Sequence, residues 1–200
     1  PKGVAVPHAA IVNQLLWKRH AFALGADDAV LLKTAATFDL SVWEYWSALV
    51  SGARLVIASA DGHRDPSYLN QLMRDTGVTT LHVVPSMLDA LLIESGGALS
   101  SSLRRVLAIG ESLPAPLAQR ARDGRQVVNL YGPTEATDIA TLGVVEPGAS
   151  ITLGSALPGV AAYVLDRRLH PVPVGVAGEL YLAGPALARG YHDRFELTAT

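Results

Sequence analysis

Residues 129–137 read Asn-Leu-Tyr-Gly-Pro-Thr-Glu-Ala-Thr and follow the run Gln126-Val127-Val128. Gly132 and Pro133 alone suffice for a turn. The amide of Asn129, the ring of Tyr131, the hydroxyl of Thr134 and the carboxylate of Glu135 add the groups of a binding site to it. Further residues that a core does not require are Asp39, His82 and the Gly110-Glu111 pair. Each also has a purely structural reading. Asp39 can cap a helix, His82 can be a satisfied core histidine, and Tyr131 can be ordinary packing. Thr134 can be an N-cap, with Glu135 a first-turn carboxylate favoured by the helix dipole. Trp43 and Trp46, three apart, suit a helix core. The remaining histidines (His8, His20, His63, His170 and His192) show no metal-ligand spacing, and there is no cysteine, so thiolate metal sites and disulfides are excluded.

The elements that would position these residues alternate. Helical spacing of Ile11, Val12, Leu15 and Leu16 predicts a helix over 9–20, followed by a strand over 30–35. Ser41 and Glu44 have capping-box spacing, which predicts a helix opening at Ser41 and stopping at Gly52. Strands are expected over 54–58, 78–84, 103–109 and 126–130, with helices over 66–75, 86–94 and 114–122. This alternation predicts an α/β fold, a largely parallel sheet flanked by helices. Past about Ile151 the pattern becomes short strands (160–165 and 178–182) in Pro- and Gly-rich loops, which predicts a small antiparallel β unit. The expected division is therefore 1–150 and 151–200. Ligands of open α/β sheets bind outside the carboxyl ends of the strands. Asp39, His82, Gly110-Glu111 and Asn129-Tyr131 all fall at that edge, and this convergence says more than any one of them.

The 200 residues are half hydrophobic and 17% charged, a composition that buries a core. A net charge of −2 without a basic run argues against a nucleic-acid partner. No apolar run approaches the ~20 residues of a membrane span, so no membrane partner and a cytoplasmic location are expected.

Three stretches resemble core motifs of the adenylation domains of nonribosomal peptide synthetases, in the expected order: residues 38–44 (FDLSVWE), 129–137 (NLYGPTEAT) and 178–191 (GELYLAGPALARGY). The opening Pro1-Lys2-Gly3-Val4 resembles the tail of that family's phosphate loop. The resemblance implies ATP-dependent activation of an amino acid as its adenylate, with Mg²⁺, and transfer to phosphopantetheine on a carrier domain, beside condensation domains of the same synthetase. By the same resemblance Tyr131 stacks on adenine, Asn129 meets its exocyclic amine, and Gly110, Glu111 and Gly132 border the nucleotide. Thr134 contacts phosphate and Glu135 holds Mg²⁺; these two are the expected catalytic residues. Asp39 pairs with the substrate's α-ammonium. The side-chain pocket is lined by Leu40, Trp43, His82, Leu107, Ile109, Leu130, Asp138 and Ile139.

Ile109 departs from the family pattern, where a small residue is usual, and narrows the pocket. The polar His82 and Asp138 point to a small polar substrate, serine first, with a cationic side chain meeting Asp138 as runner-up. The chain is expected to be a piece of the large subdomain. The small subdomain with the catalytic lysine would be absent and residues 1–200 alone inactive. Rival readings are an acyl-CoA or aryl acid ligase of the same superfamily, and a non-catalytic nucleotide-binding remnant.

Overall fold

The computed structural model describes residues 2–199; Pro1, part of the expected phosphate-loop tail, lies outside them. Nine strands and six helices follow in the order α1 (His8–Ala21), β1 (Ala29–Leu32), α2 (Leu40–Ser51), β2 (Arg54–Ile57), α3 (Pro66–Thr76), β3 (Thr80–Val83), α4 (Pro85–Glu94), β4 (Arg105–Ala108), α5 (Ala115–Arg122), β5 (Gln126–Tyr131), β6 (Thr141–Val144), β7 (Ser155–Ala156), β8 (Ala161–Leu165), β9 (Glu179–Ala183) and α6 (Phe195–Thr198) among the described residues, with a 3₁₀ turn at Thr134–Ala136.

One sheet has the order β2-β1-β3-β4-β5-β6-β7. Strands β1 to β5 are parallel and β6 and β7 run antiparallel to their neighbours. The order 2-1-3-4-5 reverses direction between β1 and β3, the switch point at which such sheets open a crevice. Period-two alternation sends Val106, Ala108 and Val127 to one face, under α3, α4 and α5, while Leu107, Ile109, Val128 and Leu130 face the other with Trp43 of α2. A separate antiparallel pair, β8-β9, forms the second sheet.

The expected α/β fold with a small antiparallel unit is present, and several local expectations are corrected. Strand β7 belongs to the first sheet, so that sheet runs past residue 150. Strands β6 and β7 were not foreseen. Ser41 is not the N-cap of α2: Asp39 is, its Oδ1 accepting from Leu40 N at 2.9 Å, while Ser41 Oγ donates to Phe38 O. Glu44 closes no capping box; fully buried, it accepts from Lys33 N, Thr34 N and Thr34 Oγ1 at 2.8–3.1 Å. Those bonds pull Lys33 and Thr34 off β1, which ends at Leu32. Gly52 does stop α2, in the left-handed conformation that glycine adopts without strain. On α1 the buried side chains are Ala10, Gln14, Leu15 and Lys18, while Val12 and Leu16, two of the apolar residues whose spacing predicts the helix, are exposed. The polar pair is drawn inward by bonds: Gln14 donates to Ile139 O at 2.7 Å and accepts from Trp43 Nε1 at 3.1 Å.

Candidate active site

Three cavities adjoin at the carboxyl ends of the parallel strands. The middle one, about 540 Å³, is bounded by Lys33 and Thr34 after β1, Asp39 and Leu40 at the start of α2, Ile109 and Gly110 after β4, and Gly132, Thr134 and Asp138 after β5. A second, about 550 Å³, shares Gly110 and Gly132 and adds Glu111, Asn129, Leu130 and Tyr131. The third, about 510 Å³, shares Asp39, Thr134 and Asp138 with the middle one and adds Lys2, Gly3 and Glu135. Asp39 thus stands on the seam between two of them.

The turn after β5 is tightly built. Ala140 N donates back to Tyr131 O at 2.8 Å. A Cβ on Gly132 would lie 2.3 Å from Asp138 O, so only glycine admits the returning chain. Thr137 and Asp138 both take left-handed φ values of 62° and 72°, uncommon for residues with a side chain. The turn delivers Asp138 beside Asp39. Thr134 Oγ1 donates to Asp39 Oδ2. Burial, then the neighbouring Asp39, pushes Asp138 up to about 8, so Asp138 holds its proton at neutral pH.

Glu135 lies on the third cavity. Tyr191 Oη donates to its Oε1 at 2.5 Å and Lys2 Nζ stands 3.6 Å away. The Tyr191 hydrogen bond, with Lys2 assisting, holds this carboxyl below the usual glutamate range and therefore ionised. No cluster of three or more metal-ligating side chains exists among the described residues. A lone carboxylate still fits Mg²⁺, which takes one or two carboxylates alongside phosphate oxygens and water.

On the second cavity Tyr131 is exposed, with its ring available for stacking. Asn129 Nδ2 is engaged with Thr152 O at 2.9 Å, which leaves its carbonyl oxygen as the group for a ligand amine. Glu111 is turned to Ser86, accepting from its N at 2.8 Å and its Oγ at 2.9 Å.

Of the expected side-chain pocket, Asp39, Leu40, Ile109 and Asp138 share the middle cavity and Leu130 faces the second. Trp43, His82, Leu107 and Ile139 are not on these walls. They are fully buried in the layer behind Leu40 and Ile109, where Trp43, Leu107 and Ile139 join the same apolar cluster and His82 packs edge-on to Trp43. Sequence reading missed two residues of this layer and rim. Lys18 is fully buried, its Nζ 2.5 Å from His82 Nε2 and 3.2 Å from Ser47 Oγ. The i,i+4 spacing of the polar Gln14 and Lys18 was the available signal. The other is Tyr191, which ends the third motif and donates to Glu135.

The AMP-binding enzyme family model matches residues 1–192, and the chain belongs to that family, among the adenylation domains of nonribosomal peptide synthetases. It is 45% identical over 203 residues to tyrocidine synthase 3 of Brevibacillus parabrevis, covering 99% of this chain and 3% of that protein. Phosphinothricin tripeptide synthetase PhsB of Streptomyces viridochromogenes is 46% identical over 203 residues, covering all of this chain and 17% of the relative. The crystal structure of the nonribosomal peptide synthetase FmoA3 with alpha-methyl-L-serine-AMP superposes with a TM-score of 0.92 at 31% identity, over all of this chain and 24% of that one. The chain therefore spans a small part of the relatives it matches. No helix among the described residues is long and apolar enough to cross a membrane.

Proposed function

We propose that these residues supply the amino-acid and nucleotide contacts of an enzyme that activates an α-amino acid with ATP. In that reaction a substrate carboxylate oxygen bonds to the α-phosphorus, the bond to the β-phosphate side breaks, and pyrophosphate leaves. The acyl group then passes to a phosphopantetheine thiol on a carrier domain of the same synthetase, next to its condensation domains: the thiol sulfur bonds to the acyl carbon, the acyl–phosphate bond breaks, and AMP leaves. The observation that carries the reading is Asp39: a half-buried carboxylate on the seam of two cavities, held by Leu40 N and Thr134 Oγ1. A fixed anion there suits an α-ammonium, through a charge-assisted hydrogen bond.

The three cavities supply the rest of the division of labour. Tyr131 and Asn129 on the second fit an adenine. The third, with Lys2, Thr134 and Glu135, fits phosphates. Mg²⁺, held by Glu135, would neutralise phosphate charge as it develops. Leu40 and Ile109 narrow the middle cavity, which favours a small side chain, serine first. FmoA3, which shares the fold and 31% of the residues, binds alpha-methyl-L-serine-AMP, in keeping with this choice.

ATP–pyrophosphate exchange by the full-length protein, over amino, aryl and fatty acids, tests the proposal. Exchange driven by a small polar amino acid is expected. Exchange driven only by aryl or fatty acids would move the protein to another ligase class, and no exchange with any acid would remove the activity.

A further inference from the structure

Glu135 is gripped from the other end of the chain. Residues 3–5 pair with 189–192: Ala5 N donates to Gly190 O at 2.9 Å, Arg189 N to Ala5 O at 2.9 Å and His192 N to Gly3 O at 2.8 Å. This pairing sets Tyr191 beside Lys2 and Glu135, both of which line the third cavity. Glu135 is then held at two points. Ala188 N donates to its backbone O at 2.8 Å, and Tyr191 Oη donates to its Oε1 at 2.5 Å. The direction of the second bond is fixed by Lys2. Its ammonium has donors only and donates to Tyr191 Oη at 3.1 Å, so the single phenol proton goes to the carboxylate. Tyr191 and Lys2 both stand on Oε1, and neither engages Oε2. A long carboxylate side chain gives up rotamer freedom when a ligand fixes it; here a short charge-assisted bond has fixed it in advance.

We propose that Tyr191 is a positioning residue for the divalent cation that accompanies ATP: it holds the Glu135 carboxylate by one oxygen so that the side chain is set to receive the metal. This rests on the proposed role of Glu135 toward Mg²⁺ in amino-acid activation and deepens it. Tyr191 acts through Glu135 and supplies no ligand of its own. Carboxylates that bind metals are themselves hydrogen-bonded, and loss of such a partner costs about 10–100-fold in metal affinity.

The test is Mn²⁺ affinity of the full-length protein saturated with a non-hydrolysable ATP analogue, read by electron paramagnetic resonance beside the melting temperature. Wild type is compared with Tyr191→Phe, which keeps the ring and removes the hydroxyl, and with Glu135→Gln. Tyr191→Phe should weaken Mn²⁺ about tenfold or more, by no more than Glu135→Gln does. Its ATP–pyrophosphate exchange should need correspondingly more Mg²⁺ and recover most of its kcat at saturating metal. Mn²⁺ affinity unchanged or tighter in Tyr191→Phe, with Glu135→Gln weakened, would overturn the role of Tyr191 and leave Glu135 as the metal ligand. A lower melting temperature with intact Mn²⁺ affinity would likewise reduce Tyr191 to a structural tie. Mn²⁺ affinity unmoved in Glu135→Gln removes the metal role of Glu135 and this inference with it, while wild-type exchange with no amino acid removes the activation itself.

Discussion

Replacing Asp39 separates two jobs done by one side chain. Its Oδ1 caps α2 through Leu40 N, and its Oδ2 accepts from Thr134 on the cavity side. Asp39→Asn keeps a good N-cap acceptor and removes the charge; Asp39→Ala removes both. A cap is worth about 1 kcal/mol of stability. Leaving a buried ammonium without its anion costs ~2–5 kcal/mol of binding, or about thirtyfold to several-thousandfold in kcat/KM. Asp39→Asn should therefore hold its melting temperature and lose amino acid activation in that range. Asp39→Ala should lose the same activation and additionally melt earlier. The assay is ATP–pyrophosphate exchange by the full-length protein with the amino acid and with its des-amino analogue, which has no ammonium and should lose far less. Equal losses on both compounds, or an active Asn variant beside an unstable Ala variant, would reduce Asp39 to a helix cap.

Glu135→Gln should leave the fold intact and slow exchange by ~3–4 kcal/mol, the scale of one lost electrostatic stabiliser at a reacting centre; unchanged exchange at limiting Mg²⁺ would contradict the metal role. For Asp138, the folded pKa of about 8 lies above the ~3.9 of an unfolded aspartate, so the folded state holds the extra proton between those values and stability falls as pH rises through them. Asp138→Asn should escape that fall: its melting temperature relative to wild type should rise from pH ~5 to pH ~8, and a constant difference would refute the raised pKa. Asp28 is buried and accepts from Arg105 Nη1 and Thr79 Oγ1, each at 2.7 Å. Asp28→Ala strands the guanidinium and should destabilise by ~3–5 kcal/mol in urea unfolding, with a loss below ~1 kcal/mol counting against the buried pair.

The parallel half of the fold was legible because its strands are short, largely apolar runs and several of its helices end in Gly or begin with Pro. Pro66 opens α3 after the capping Asp65, and Gly77 closes it. Strands β6 and β7 were not legible. Gly143 interrupts the first, where a Cβ would meet Thr152 O at 2.6 Å, and the second has two residues. Asp39, Gly110 and Glu135 could be placed because each comes after a strand, and Tyr131 because it ends one. The depth of the pocket could not. Whether Trp43 or His82 lines a cavity or stands behind it depends on how far Leu40 and Ile109 close over them. Lys18 escaped because lysine on an amphipathic helix normally faces water, and nothing local records that Ser47 and His82 await it from other elements.

If the cavities around Asp39, Thr134 and Glu135 serve aminoacyl adenylate formation, that adenylate is itself detectable. The full-length protein, incubated with ATP, Mg²⁺ and serine, quenched and read by mass spectrometry, should yield seryl-AMP or serine as a carrier-bound thioester, together with pyrophosphate. ATP turned over to ADP and phosphate, with no seryl-AMP and no thioester, would contradict it.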